Sequence, residues 1–149
     1  MPPRQRPPPC APDARGKQEQ VNAAGQSQLW RAASLGNLAW VHSLLSSGEV
    51  LIDRHCNQGG SPLFTACQHG QLEVVRTLLS AGALVDLTTP DGISALWTAC
   101  QHGHLEVVRP LLSAGALVDL AHVVGGTPLY KACQNGHLEV ARALLSAGA

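Results

Sequence analysis

The sequence has few aromatic residues, few charges and no long apolar run. Phe, Trp and Tyr make up 3% of its 149 residues, charged residues make up 13%, and the formal net charge is zero. A neutral chain offers no broad basic surface to nucleic acid or an anionic membrane. No segment approaches the roughly 18 apolar residues that a membrane-spanning helix requires. We therefore expect neither nucleic acid nor a membrane as a partner, and a core built from Leu, Val and Ala.

The N-terminus lacks the features of a secretory signal, because no apolar segment follows its arginines. Its prolines also argue against the amphipathic helix of a transit peptide. The chain has an odd number of cysteines, namely Cys10, Cys56, Cys67, Cys100 and Cys133. Without a signal peptide, an odd number indicates reduced thiols. We expect an intracellular protein, cytoplasmic or nuclear.

Residues 1–26 differ in composition from the rest of the chain. They hold six of the ten prolines, together with Gln, Arg and Gly. Such a segment cannot bury enough apolar surface to order itself. It is predicted to be a disordered Pro-rich tail, with some polyproline-II character at residues 7–9. The alternative is a proline-rich ligand for another domain.

A repeat of 33 residues dominates residues 27–149. Three clear copies begin with SPLFTACQHGQLEVVRTLLSAGALVD at Ser61, SALWTACQHGHLEVVRPLLSAGALVD at Ser94 and TPLYKACQNGHLEVARALLSAGA at Thr127. A divergent copy, SQLWRAASLGNLAWVHSLLSSGEVLID, begins at Ser27, 34 residues before Ser61. The predicted repeats cover about residues 27–57, 58–90, 91–123 and 124–149.

Each copy contains the signals for two short helices. Ser or Thr stands at the predicted N-cap of the first helix, and Pro62 and Pro128 follow at a position where the missing N–H does no harm. Gly70 and its equivalents end that helix. Leu and Val at helical spacing then predict a second helix, with Glu73 and Arg76 on its outer face.

These motifs resemble the ankyrin repeat. The period, the Ser/Thr-Pro-Leu start, the Gly-His-Leu-Glu-Val-Val run and the Leu-Leu-x-x-Gly-Ala ending all match over residues 27–149. The resemblance implies an all-α fold, an ankyrin-repeat solenoid of stacked helix-turn-helix pairs with hairpin-like loops. It also implies a monomeric protein-protein interaction module without cofactor or intrinsic catalysis.

Two departures from the family pattern carry structural expectations. The fourth position of the Thr-Pro-Leu-His start is aromatic in every copy, at Trp30, Phe64, Trp97 and Tyr130. We expect a stacked aromatic column in place of the polar contact that the family's His provides. Pro110 lies inside a second helix, where proline removes a hydrogen bond and clashes with a carbonyl. A local kink or a later helix start is expected there.

The sequence stops at Ala149, after the second helix of the last copy. Repeat stacks normally end in a polar capping repeat. Leu138, Val140, Leu144 and Leu145 are instead ordinary interior residues, so we expect one open face. The sequence favours a fragment of a longer array over a partner that covers this face.

The recurring Cys, His and Asp residues are interpreted as structural. Cys67, Cys100 and Cys133 occupy one register and are predicted to form a column of small core residues, because adjacent helices lie too far apart for a disulfide. A zinc site would need three or four converging ligands, and the histidines do not supply them in one place. Catalytic motifs are absent, and the periodic Asp53, Asp86 and Asp119 do not converge on one site.

The resemblance also implies where a partner binds: on the loops between repeats, called fingers, and on the exposed side of the first helices. Carried over by position, the finger candidates are His55, Asn57, Gln58, Thr88, Pro90, Asp91, Ile93, Val123 and Val124. The first-helix candidates are Gln68, His69, Gln101, His102, Gln134 and Asn135.

The third finger, LAHVVGG, is more apolar than the others. Exposed apolar clusters often mark interaction sites. One hypothesis is that Val123 and Val124 anchor a partner, and the other is that they pack under the finger or against a further repeat. For the whole chain, the alternatives to an interaction module are the ankyrin segment of a larger enzyme or signalling protein, and a structural spacer.

Overall fold

The computed structural model describes residues 26–56, 59–123 and 125–149. Within these ranges the chain forms eight α-helices and no strand. The helices are α1 (Gln28–Leu35), α2 (Leu38–Ser47), α3 (Pro62–Gln68), α4 (Leu72–Ser80), α5 (Ala95–His102), α6 (Leu105–Ser113), α7 (Pro128–Gln134) and α8 (Leu138–Ser146). None of these helices has the length and apolar character that crossing a membrane would need. The all-α repeat architecture predicted from the sequence is confirmed.

The first helix of every repeat begins at the predicted hydroxyl cap. Ser27, Ser61 and Ser94 each accept a hydrogen bond from the backbone N–H three residues later, over 3.1 Å, and Thr127 does so over 3.2 Å. These bonds satisfy one of the N–H groups that a helix leaves unpaired at its start. Local sequence therefore sets the register at which each repeat begins.

The helices form two layers. The first helices α1, α3, α5 and α7 contact one another in chain order, and the second helices α2, α4, α6 and α8 form the other layer with fewer contacts. Leu63 and Leu96 are buried in the first layer, and Leu78, Leu111 and Leu144 are completely buried in the second. The core is a continuous ribbon of aliphatic side chains between repeats, as a solenoid requires.

Pro110 does not delay its helix. The helix α6 runs without interruption from Leu105 to Ser113 and has the same length as α4. The expected later start is therefore wrong. Only the carbonyl that Pro110 would have served loses an intrahelical partner, and the helix continues because the buried Val107, Val108 and Leu111 hold it to its neighbours.

The periodic carboxylates join successive repeats. Asp53 Oδ1 accepts a hydrogen bond from the backbone N of Leu84 over 2.9 Å, and Asp86 Oδ1 accepts one from Leu117 N over 2.9 Å. Each bond spans 31 residues and connects equivalent loops. The structural interpretation of these two residues is confirmed.

The cysteine column is buried at two of its three positions. Cys67 and Cys100 are free and completely buried. Burial raises the pKa of the Cys67 thiol far above its ordinary value, with a smaller contribution from Cys100, and raises the pKa of Cys100 to about 12. Cys133 is exposed, so its predicted place in the core is wrong. Cys67 and Cys100 are each followed by a further repeat in the described residues, whereas Cys133 lies in the last described repeat.

Candidate interaction surface

Three fingers project between the helix pairs, each built on a tight turn closed by two backbone hydrogen bonds. We define finger 1 as residues 56–60, finger 2 as residues 89–93 and finger 3 as residues 122–126. In finger 2, Thr89 N donates to Ile93 O over 2.9 Å and Gly92 N donates to Thr89 O over 2.8 Å. Fingers 1 and 3 repeat this pair of bonds. The fourth residue of each turn is a glycine with φ between 84° and 96°, a conformation that disfavours other residues.

Neighbouring fingers lie against each other. The Pro90 ring covers Gly59 so closely that no Cβ would fit on that glycine, and Val123 Cγ2 lies 2.8 Å from where a Cβ on Gly92 would stand. Val123 N also donates to Asp91 O over 3.4 Å. The three fingers therefore form one continuous ridge rather than three independent loops.

The aromatic side chain of the third repeat holds finger 3 by a polar contact. Trp97 is 9% exposed, and its Nε1 donates to Gly126 O over 3.0 Å. Its ring lies 5.5 Å from the His122 ring, and Lys131 Nζ lies 5.4 Å from the Trp97 ring centroid. The expected stacked aromatic column is wrong here, because the indole N–H preserves a polar bond that stacking was expected to replace.

Replacing Trp97 by phenylalanine removes this bond while keeping an aromatic ring. We expect the free energy of unfolding to fall by about 1 kcal/mol, because a neutral intramolecular hydrogen bond contributes roughly 0.5–1.5 kcal/mol. Amide hydrogen exchange should also quicken at residues 122–126. Urea denaturation and exchange measurements would check both results, with Tyr130→Phe as the control because Tyr130 is 58% exposed. Equal effects of the two substitutions would contradict the assignment.

The end of each first helix presents polar side chains at one register. Gln68, His69, His102, Gln134 and Asn135 are exposed, and Gln101 is half-buried. His69 Nδ1 donates to Thr65 O and His102 Nδ1 donates to Thr98 O, each over 2.8 Å. These bonds lie within one helix and fix the imidazole rings without burying them.

The histidines at the start of the second helices have a different role. His104 Nε2 donates to Gln68 O over 3.2 Å and His137 Nε2 donates to Gln101 O over 3.1 Å, so both join one repeat to the previous one. Their rings cover Gly70 and Gly103. No group of three or more His, Cys, Asp or Glu in the described ranges is arranged to hold a metal ion.

Most of the predicted binding residues within the described ranges are exposed or half-buried. Pro90, Asp91 and Val123 are exposed on the fingers, each of which precedes the start of a first helix. Half-buried positions are His55, Thr88 and Ile93, with His55 Nδ1 2.7 Å from Gly59 O. Asn57, Gln58 and Val124 lie outside the described residues.

Sequence reasoning did not single out His122 and Lys131. Both lie beside Trp97. The available signal was the register, because Lys131 stands where the two preceding repeats have Thr65 and Thr98, which are buried between helices. A lysine at a position where the two preceding repeats have a buried threonine could have been recognised as a departure from the repeat pattern.

Stacked helix pairs with projecting fingers define a helical repeat solenoid. The chain belongs to the ankyrin repeat family: the family described as "Ankyrin repeats (3 copies)" matches residues 11–89 and 81–149. Ankyrin repeats are generally protein-interaction modules and typically non-catalytic. Over 60 residues the chain is 37% identical to Cortactin-binding protein 2 from Ornithorhynchus anatinus. That match covers 40% of this chain and 4% of the relative, so the chain spans a small part of the relative's length.

Proposed function

We propose that this chain is a protein-binding module without catalytic activity of its own. Its binding surface is formed by the three fingers and the exposed ends of the first helices. One observation carries the proposal. Polar side chains at the same register of successive repeats are exposed, whereas the residues between them are mostly buried in the core. His104 and His137 join one repeat to the previous one, and so does the exposed Asn135, whose Nδ2 donates to Gln101 O over 2.7 Å. In this proposal the repeat domain of residues 27–149 acts as a monomer in an intracellular compartment. The Pro-rich tail predicted for residues 1–26 lies, except for Gln26, outside the described residues.

Finger 3 provides the apolar part of this surface. Val123 is 75% exposed, so it does not pack under the finger. Its Cγ2 contact with Gly92 fixes it on the ridge. An apolar side chain held rigidly in solvent loses little conformational entropy when a partner covers it. This supports an anchoring role for Val123, with Val124 as its neighbour in sequence.

Replacing both Val123 and Val124 by serine is expected to weaken binding to the partner at least about tenfold, because removing one good anchor costs about 1.4 kcal/mol or more. Pull-down of partners with mass spectrometry, followed by affinity measurement on the purified pair, would test this. The matched control is Leu138→Ser with Leu145→Ser, which removes two exposed apolar side chains on α8. Unchanged affinity of the valine variant, with circular dichroism showing a retained fold, would refute the anchor.

A second possibility is that the chain is the ankyrin segment of a larger enzyme or signalling protein. The short match to a much longer relative favours it. The full-length transcript sequence would test it, and cortactin is a reasonable first partner to include in the pull-down. A structural spacer would instead recover no specific partner in either experiment.

A further inference from the structure

The outer face of the second helices carries the same pair of opposite charges in two repeats. Arg76 Nη1 lies 3.3 Å from Glu73 Oε1 on α4, and Arg142 Nη1 lies 3.0 Å from Glu139 Oε1 on α8. In both cases the carboxylate stands three residues before the arginine on the same helix. Because each cation has an anion in contact, these two pairs present little net charge to a ligand.

The third repeat breaks this pattern on α6. Glu106 Oε1 lies 3.7 Å from Nδ1 of His104, the residue that precedes the helix, and makes no ion pair with the arginine three residues later. Arg109 is exposed, and no carboxylate of the described residues lies within ion-pair distance of it. Arginine is always charged in proteins. The α6 helix therefore presents a permanent positive charge that no acid in the described part of the chain neutralises.

Arg109 lines an open groove between α6 and α8, two helices that contact each other. The groove has a volume of about 510 Å³. Leu112 and Ala143, which are both half-buried, supply apolar lining. The charged lining consists of Arg109, Arg142 and Glu139. With two positive charges and one negative charge, the groove is positive overall and has an apolar surface beside the unpaired guanidinium.

The preceding junction, between α4 and α6, differs at the equivalent positions. There the arginine of the earlier helix, Arg76, is engaged by Glu73. The residue equivalent to Ala143 is Pro110, whose ring is larger than the alanine side chain. The groove between α6 and α8 therefore combines an unpaired arginine with a small residue that leaves room for a ligand side chain.

We propose that the groove between α6 and α8 is a second contact site, which takes a partner segment that presents a carboxylate beside an aliphatic side chain. The carboxylate pairs with Arg109, because a guanidinium group can bind a carboxylate through two parallel hydrogen bonds. The aliphatic side chain covers Leu112 and Ala143. This site lies in the layer of second helices, so the inference goes beyond the proposed function, which uses the fingers and the first helices.

A peptide carboxylate fits this groove better than a phosphate group. Glu139 lines the same groove, and it would repel a phosphate monoester, which carries a charge of about −1.5 to −2, more strongly than it repels a carboxylate. Binding to a nucleic acid backbone draws on several Lys and Arg charges at once, whereas Arg109 is the arginine without an acid in contact here. The apolar lining beside it also favours a peptide side chain.

The test uses the full chain, isotope-labelled for nuclear magnetic resonance, and two short peptides, acetyl-Leu-Glu-Leu-amide and acetyl-Leu-Gln-Leu-amide. Chemical shifts of the Arg109 Nε–H group and of the backbone amides of α6 and α8 would give the Kd of each peptide at neutral pH. Low ionic strength limits the screening of the pair. We expect the glutamate peptide to bind about 2- to 5-fold more tightly than the glutamine peptide, the range for one partly exposed ion pair.

Three variants locate the carboxylate. Arg109→Gln should remove the preference for the glutamate peptide. Arg76→Gln is the matched control, because Arg76 has the same register on α4 but contacts Glu73 and does not line the groove; it should retain the full preference. Glu139→Gln removes the acid from the groove and should increase the preference. All three residues are exposed, and circular dichroism would establish that each variant is folded.

Equal binding of the two peptides, an unchanged preference in Arg109→Gln, or shifts confined to residues outside α6 and α8 would overturn the proposal. Tighter binding of inorganic phosphate than of the glutamate peptide at the same residues would overturn the choice of a carboxylate. The proposed function is tested separately, because the substitution of Val123 and Val124 changes finger 3 and leaves this groove intact.

Discussion

Replacing Leu111 by alanine is expected to lower the free energy of unfolding by about 2–5 kcal/mol, the range for removing a large aliphatic side chain from a packed core. Leu111 is completely buried on α6, a helix that contacts both α4 and α8. The cavity would therefore open between repeats, where packing is the main force that joins them. Urea denaturation followed by circular dichroism would measure the loss.

The control for Leu111 is Leu145→Ala on α8, since Leu145 is 57% exposed. That substitution has the same chemistry without creating a buried cavity, and it should change the free energy of unfolding by no more than about 0.5 kcal/mol. Similar losses for the two variants would mean that α6 does not join the repeats in the way described.

Replacing Gly103 by alanine is expected to destabilise the protein by about 1.5–3.5 kcal/mol, the sum of two costs. Gly103 has a φ of 73°, and a side chain in this region costs roughly 1–2 kcal/mol. The new Cβ would also stand 2.5 Å from His137 Nδ1. The imidazole would have to move, which breaks its bond to Gln101 O, a contribution of about 0.5–1.5 kcal/mol.

The variant Gly136→Ala measures the backbone cost without the contact to an imidazole ring. Gly136 has the same register and a φ of 75°, but nothing lies within 4 Å of its would-be Cβ. Gly136→Ala should therefore incur only the backbone cost, about 1–2 kcal/mol. Urea denaturation of both variants would give the difference. If the two losses were equal, the His137 ring would not contribute to the junction between the third and fourth repeats.

The helices and their order could be predicted from the sequence because their signals are local. The hydroxyl at Ser61 caps a helix through an N–H three residues away, and Leu72 and Val75 lie on one helical face through their spacing alone. The candidate surface came from the resemblance to the ankyrin repeat, carried over by position, and it stays a prediction. Pro90 and Val123 are exposed, as that prediction requires, but their contacts with Gly59 and Gly92 could not be predicted.

The errors concern contacts between distant residues. Trp97 was expected to stack in an aromatic column, but its N–H reaches a carbonyl 29 residues later. Cys133 shares its register with Cys67 and Cys100, yet it is exposed whereas they are buried. Pro110 was expected to kink α6 or to delay its start, and the later start is wrong because α6 begins at Leu105, the position equivalent to Leu72 of α4.

The sequence by itself determined the repeat, the two helices of each unit and the solenoid class, because caps, apolar spacing and glycines act within a few residues. Only the tertiary structure decided which histidines lie on the exposed surface and which join two repeats. His69 and His102 bond within their own helix, whereas His104 and His137 bond to the previous repeat. These bonds distinguish the histidines of the exposed surface from the histidines that join two repeats. The distinction depends on how closely neighbouring repeats approach each other, and the packing of the whole stack sets that distance.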